Sequence, residues 1–224
     1  GGFASGLAEA AQSVFDVGAP SADVRGHDAP LTELIDRPLG AARTILKANI
    51  LGASCARVCP TEVLCEGACV LSDQHRPITI GPLQRYATDH ALAAGMPILQ
   101  PGPERRPGSN QIPVGIIGAG PAGLACAAEL LRLGYKSVLY EASARPGGLN
   151  TYGVAQYKLT PPVSLVEVEW LKQAGLDIQC GVRIGTDVSI AELEQRHEVI
   201  FVGVGMGPIP SIGLPGEELP GVLD

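Results

Sequence analysis

From residue 113 the chain reads PVGIIGAGPAGLACAAELLRLGYKSVLYEASARPGG, and this stretch narrows the folds open to it more than any other. Val114, Ile116 and Ile117 predict a short apolar strand that runs directly into Gly118, Gly120 and Gly123. Ala122 to Leu133 predicts an Ala-rich helix closed by Gly134, and a second strand from Ser137 to Tyr140 ends on Glu141. The spacing has a physical reading. Gly118 permits the tight turn, Gly120 lets backbone approach a pyrophosphate, and Gly123 lets the helix pack close to the strand. Phosphates then lie at the helix N-terminus, beside Ala119, Pro121 and Ala122. Glu141 follows about 20 residues on, where a carboxylate accepts hydrogen bonds from ribose hydroxyls. The segment predicts a dinucleotide site, open at this point to NAD or FAD. The competing reading is a glycine-rich turn that only packs.

The rest of the composition excludes more than it assigns. A chain of 224 residues with 46% hydrophobic content has ample material for a core. Glycine and proline make up about a fifth of it, below the level of low complexity. A net charge of -7 and the lack of a Lys/Arg run argue against nucleic acid as a partner. No apolar stretch approaches the roughly 18 residues of a membrane span. Residues 1–15 lack the basic start and apolar centre of a secretory signal, so the expected location is cytoplasmic. The chain opens on Gly1-Gly2, which suggests a truncated or processed terminus.

Periodicity divides the chain into a poorly defined segment 1–30, a helical cysteine-containing domain 31–104 and a nucleotide-binding domain 105–224. A weak helical pattern lies near Leu7 to Phe15. From Leu31 to Asn49 two short helical patterns meet at Pro38, the second with Ala41, Ala42, Ile45 and Leu46 on one face. Pro82 suits the first residue of a helix that stops at Gly95. Prolines and glycines between Pro97 and Pro113 mark an extended linker. Pro162 to Ala174 predicts a helix burying Val163, Val166, Trp170 and Leu171. Strands are expected at Asp177 to Cys180 and Val199 to Val204, with a helix at Ile190 to Gln195 between them. Alternating strands and helices imply a doubly wound parallel sheet. Glu167, Glu169, Glu192 and Glu194 are expected on solvated helix faces, and the four histidines as ordinary surface or core residues.

Four of six cysteines crowd into fifteen residues: Cys55, Cys59, Cys65 and Cys69. Without a secretion signal, such clustering favours metal or redox chemistry over disulfides. An iron–sulfur site, a set of packed reduced thiols and a tetrahedral zinc site all remain open, with zinc disfavoured by the wide spacing. Cys126 and Cys180 are expected as small buried hydrophobes. No residue reads as an acid–base or nucleophilic catalyst, as expected where a cofactor carries the chemistry.

Taken together, SCARVCPTEVLCEGACVL, ITIGPLQRYATDHA, the GAGPAG turn and GGLNTYGVAQYKLT resemble the FAD and iron–sulfur region shared by dihydropyrimidine dehydrogenase and the small subunit of glutamate synthase. The resemblance runs from about Leu31 to the end. Gln84 and the GVGMGPIP passage favour the pyrimidine branch. It implies an all-helical domain carrying [4Fe-4S] clusters, then an FAD domain interrupted by an NAD(P)H domain. Electrons would pass from NAD(P)H to FAD and through clusters to an accepting subunit or domain. It also implies that Cys59, Cys65 and Gln84 hold one cluster and Cys69 another, with Cys55 not a ligand in the pyrimidine branch. For the flavin it implies Gly118, Ala119, Gly120, Pro121, Ala122 and Gly123 at the pyrophosphate and Glu141 at the ribose. Gly147, Gly148, Leu149 and Lys158 would line the remainder, with Val58 touching the flavin from the helical domain.

The sequence departs from that pattern at two places. Residues 1–54 contain no cysteine, where relatives carry four more, so one rearranged cluster at most is expected, completed by Gln84 or Cys55. No second GxGxxG is present, so the NAD(P)H domain and the returning half of the FAD domain are expected from elsewhere. The expectation is an FAD-dependent electron-transfer module. The alternative is a truncated, non-catalytic nucleotide-binding or docking module.

Overall fold

A computed structural model of the chain describes residues 38–73, 75–96, 99, 113–207, 213–217 and 219–220. The expected helix near residue 10, the first helical pattern before Pro38 and nearly all of the expected linker lie outside the described residues.

The helical half is built on α1 (Pro38–Ala48), α2 (Gly52–Val58) and α3 (Ile80–Ala93), with a 3-10 turn at Val70–Asp73. Proline opens α1, where its missing N–H has no intrahelical role, and the face predicted from spacing is the buried one: Ala41, Ala42, Ile45 and Leu46. The start of α3 falls at Ile80, two residues before Pro82. Proline fits there too, because the first four N–H groups of a helix lack intrahelical acceptors. Gly95, at φ 59°, follows the end of α3.

The second half is a parallel sheet in the order β3-β2-β1-β4. Its elements are β1 (Val114–Ile117), α4 (Pro121–Arg132), β2 (Ser137–Glu141), α5 (Leu149–Tyr152), α6 (Pro161–Gln173), β3 (Asp177–Cys180), α7 (Ile190–Arg196) and β4 (Ile200–Val202). In register, Ile117 lies opposite Tyr140 on one side and Val202 on the other, so the three strands end together. Helices α4 and α6 share one core with the sheet, through Leu124, Ala127, Ala128 and Leu131 against Ile116, Leu139, Val168 and Leu171. Tyr140 points to the opposite face, since side chains alternate along a strand. There it meets His197. The His197 Nδ1 lies 2.6 Å from the Pro113 carbonyl and its Nε2 lies 2.9 Å from the Tyr140 hydroxyl. A carbonyl only accepts, so in the neutral ring Nδ1 donates and Nε2 accepts from the tyrosine. This is a satisfied core histidine.

The last strand is shorter than the expected Val199 to Val204. Helix α7 begins in a complete capping box: the Ser189 side chain accepts from the Glu192 N–H, and the Glu192 carboxylate accepts from the Ser189 N–H.

The two halves exchange side chains. Ile50 and Leu51, between α1 and α2, pack into the sheet core with Ile116 and Leu124. In return Trp170 of α6 packs among Ala41, Ala42, Ile45, Leu46, Ala87, Ala91 and Met96. Arg132, the last residue of α4, donates from Nη2 to the Leu46 carbonyl at 2.8 Å.

Three expectations about burial fail. Cys180 is exposed, because β3 is a short strand at the sheet edge. Val166 is 39% exposed, while Glu167, expected in solvent, is fully buried. The face of α6 is shifted because a carboxylate, not an aliphatic residue, occupies its innermost position.

Candidate functional site

At the carboxyl end of β1 the chain turns through Gly118 at φ 99°. A Cβ there would lie 2.4 Å from the Gly203 carbonyl oxygen, so only glycine fits. Gly123 is tighter still: its Cβ would lie 1.9 Å from the Gly118 oxygen. These two residues let α4 sit against the ends of β1 and β4. The start of α4 has no side-chain cap, with Gly120 as its N-cap and Pro121 at its first position. Its first N–H groups are therefore directed outward for a ligand.

Gly120 is a different case. A Cβ added there meets nothing nearer than the Gly148 Cα at 4.0 Å. The space over Gly120 is open, and its far wall is the second glycine pair. Gly147 donates its N–H to the Ala119 carbonyl at 2.7 Å, and Gly148, at φ 54°, stands so near that its own Cβ would lie 2.8 Å from the Gly120 Cα. Two glycine loops, 27 residues apart in sequence by their numbers, thus form one cradle of backbone. Behind Gly147, the Thr151 hydroxyl bonds to the Pro146 carbonyl and meets the Ser164 hydroxyl at 2.9 Å, which fixes the loop against α6.

Glu141 closes the cradle on the β2 side. Its Oε2 accepts from the Ala119 N–H at 2.8 Å and its Oε1 from the Ser143 N–H at 2.7 Å. Each carboxylate oxygen retains a further lone pair for another donor. Leu149, Tyr152, Tyr157 and Lys158 lie exposed along the segment that follows the glycine pair. The Arg145 guanidinium stacks 5.3 Å above the Tyr152 ring. The backbone cradle, the uncapped helix start and the acid beside it fit a dinucleotide such as FAD.

The cysteine region occupies the helical half. Cys55 lies on α2, Cys59 is its C-cap, and their sulfurs lie 3.1 Å apart. Burial, then the neighbouring Cys59, pushes the Cys55 thiol up to about 12, while a hydrogen bond from Gln84 opposes that shift. Cys65 is within electrostatic reach of both Cys55 and Cys59, and burial raises its thiol as well. Gln84, buried on α3, donates from Nε2 to the Gly52 carbonyl at 2.7 Å. This leaves Oε1, the atom through which a carboxamide binds a metal, outside that bond. Cys55 thus lies against Cys59, with Gln84 and Cys65 near it. Cys69 follows the turn, half-buried, with its N–H donating to the Glu66 carbonyl at 3.1 Å. Half-buried Val58 lies between Arg57 and Cys59 at the end of α2.

Thiol sulfurs with a carboxamide oxygen fit an iron–sulfur cluster in chemical kind. Among the described residues, no three His, Cys, Asp or Glu side chains close on a single metal ion. A mononuclear zinc site is thus not formed by these side chains as they stand.

Sequence reasoning missed Glu167. Its carboxylate accepts from the N–H groups of Ala53 and Ser54 and from the Ser54 hydroxyl, at the first turn of α2. The available signal was an acid between Val166 and Val168 of α6, two residues before Glu169, and such a pair reads equally as a solvated face.

Comparison with known proteins follows the same division. Residues 34–96 match the family described as dihydropyrimidine dehydrogenase domain II, 4Fe-4S cluster, and residues 116–164 match an NAD(P)-binding Rossmann-like domain. The NAD-dependent dihydropyrimidine dehydrogenase subunit PreT of Salmonella typhimurium is 41% identical over 75% of this chain and 39% of its own length. The glutamate synthase [NADPH] small chain of Halomonas elongata is 38% identical over 82% of this chain and 38% of its own. Among solved structures, FprA of Mycobacterium tuberculosis in complex with NADPH is similar over 50% of this chain and 26% of its own, with 26% identity and a TM-score of 0.42. The chain spans about two fifths of the length of the curated relatives it matches.

Proposed function

We propose, from the premise that this chain is homologous to part of the dihydropyrimidine dehydrogenase subunit and the glutamate synthase small chain, that it is an electron-transfer module of an FAD-dependent NAD(P)H oxidoreductase. The observation that carries the reading is the open cradle over Gly120, walled by Gly148 and flanked by Glu141. When bound, FAD converts a two-electron hydride delivery into single-electron steps. The chain's own residues have narrower tasks. Gly118, Ala119, Gly120, Pro121, Ala122 and Gly123 offer backbone to the pyrophosphate, and Glu141 accepts from the ribose. Gly147 and Gly148 shape the opposite wall, with Leu149 and Lys158 beyond them and Val58 on the helical side. Cys59, Cys65, Cys69 and Gln84 are the residues proposed to hold one [4Fe-4S] cluster.

The proposed partners are an NAD(P)H-binding domain and an electron-accepting subunit; the relatives carry "subunit" and "small chain" in their names. The proposed domain boundaries remain near residues 30 and 105. No helix among the described residues is long and apolar enough to cross a membrane. The proposed location, cytoplasmic, rests instead on the likeness to the dihydropyrimidine dehydrogenase subunit.

The test is the absorption spectrum of the chain purified without oxygen. A two-band flavin spectrum supports the reading, and brown absorbance with acid-labile sulfide supports the cluster. A colourless folded protein sinks the flavin assignment and leaves a docking module. Gly120→Val sharpens the result. Gly120 has φ −76° and free space around it, so valine is expected to leave the fold intact and abolish flavin retention. Unchanged flavin content would remove the pyrophosphate from this turn.

A further inference from the structure

Helix α2 is seven residues long, and Leu51, its N-cap, makes no side-chain capping bond; locally, only the Leu51 N–H is met, by the Asn49 Oδ1 at 3.0 Å. So short a helix is unstable by itself, because nucleation is costly and only a few bonds follow. Its first N–H groups are satisfied from the other half of the molecule. From α6, the Glu167 Oε1 accepts from the Ala53 N–H at 2.8 Å and the Ser54 N–H at 3.0 Å, and Oε2 accepts from the Ser54 hydroxyl. The next residue in the chain is Cys55, and the helix ends on Cys59.

The surroundings strengthen this contact. Glu167 is 0% exposed. One turn along α6, Trp170 enters the core of the helical half. Arg57 of α2 donates to the Ala53 carbonyl and pairs with Asp89 of α3, tying the far side of the same helical turn. The charged groups bearing on the carboxylate are thus Arg57 and, through it, Asp89.

A buried carboxylate is a poor device for adhesion alone. An apolar side chain of similar volume would join the halves at least as well, since desolvating a carboxyl is costly even when hydrogen bonds are supplied. That cost is visible: burial pushes Glu167 up to about 7 against the lowering effect of Ser54, Ala53 and Arg57. What the carboxyl provides is direction. Two N–H groups and one hydroxyl are met only when α2 starts at one place and in one orientation.

We propose that Glu167 is a positioning residue for the cysteine helix: by fixing the first turn of α2 on the nucleotide-binding half, it sets where Cys55 and Cys59 lie relative to the nucleotide loop. Its consequence for electron transfer rests on the function proposed above; the placement itself does not. The hydroxyl of Ser54 lets the site accept either protonation state. Against the carboxylate it donates; against the acid it turns and accepts the Oε2 proton, while Oε1 keeps both N–H groups. Glutamine reproduces the acid form, with its NH2 donating to the Ser54 oxygen.

The experiment measures alkylation of each cysteine by iodoacetamide in the metal-free full chain at pH 8, resolved by mass spectrometry, with Trp170 fluorescence recorded on the same samples. Glu167→Ala is expected to raise the Cys55 rate about tenfold or more, shift Trp170 emission to the red and leave Cys180 within about twofold. Glu167→Gln is expected to restore the Cys55 rate to within about threefold of the parent, which a change in packing volume alone would not explain. Ser54→Ala, retaining both N–H bonds, should give an intermediate rise confined to Cys55 and Cys59. The proposal is overturned if Glu167→Ala leaves Cys55 unchanged, or if glutamine is as damaging as alanine. Should the alanine variant not fold, the glutamine and Ser54→Ala variants decide: a Ser54→Ala chain with parental Cys55 reactivity overturns it. Flavin absorbance of the parent separates the two claims. A colourless parent with the expected thiol pattern removes the flavin reading and keeps the positioning role; a yellow parent whose Cys55 ignores Glu167 does the reverse.

Discussion

The nucleotide loop at 118–123 and the cysteine loop at 59–69 each join one element to the next, and they are made of different material. In the first the working parts are backbone. Gly118 and Gly123 are so closely met by Gly203 and by one another that no side chain fits. In the second the proposed ligands are sulfur and carboxamide side chains. Its backbone is a run of tight turns, with the Thr61 carbonyl accepting from Leu64, Glu66 and Gly67, while Val63, Leu64 and Val70 face outward. Where a site is a shape of backbone, the local sequence must specify it, because a single Cβ destroys it. Where a site is a meeting of side chains, the loop can be loose, provided distant residues hold the donors. Here those residues are Gln84 on α3 and Glu167 on α6.

The contrast can be broken most directly at Gly123. Gly123→Val places a Cβ against the Gly118 oxygen, and the expected loss is about 3 kcal/mol or more, read as a lower urea midpoint. A loss below about 1 kcal/mol would mean the loop yields as easily as the cysteine turns. Next in size is the pH dependence of the distant support. Glu167 is raised from its ordinary 4.5 to about 7, so the folded chain holds this proton more tightly than the unfolded one. Stability from this group is therefore greatest below pH 4.5, falls as pH rises from about 4.5 to 7 and is level above, by an amount on the order of 3 kcal/mol. In denaturation across pH 5 to 8, Glu167→Gln should lack that fall, so its stability relative to the parent should rise with pH. A difference that stays constant would place the proton elsewhere.

Away from both loops, Ser189→Ala removes half of the capping box on α7 and should cost about 1 kcal/mol without changing flavin content. The smallest effect is expected in the cysteine loop itself. Val63→Ser and Val70→Ser, both at strongly exposed positions, should each change stability by less than about 0.5 kcal/mol. A loss comparable with that at Gly123 would show that this loop, too, is built to a fixed shape.

The same difference explains what could be read from the chain. β1, α4 and β2 were legible almost to the residue, because glycine spacing, an apolar run and helical periodicity are local signals. The bounds of α6 were legible for the same reason, yet its inner face was not. Val166 and Glu167 exchange the environments their polarity suggests, since the donors that satisfy the acid lie on α2, more than a hundred residues earlier. The joining of Gly148 to Gly120 was anticipated as a shared site, but its contact is a tertiary fact. So is the contact of Cys55 with Cys59 and with Gln84: spacing alone gave four equivalent sulfurs. Cys180 was misplaced because residue type says little about which strand lies outermost.

Helix α4 has different attachments at its two ends. At one end Gly120 opens onto the cradle; at the other, Arg132 grips the Leu46 carbonyl of the helical half. Twelve residues of helix make a strut about 18 Å long. A strut of that length, packed along its side against the sheet, transmits displacement with little bending. The cradle end of α4 and the end of α1 are consequently two points joined by one helix and one hydrogen bond, so that a shift at either bears on the other.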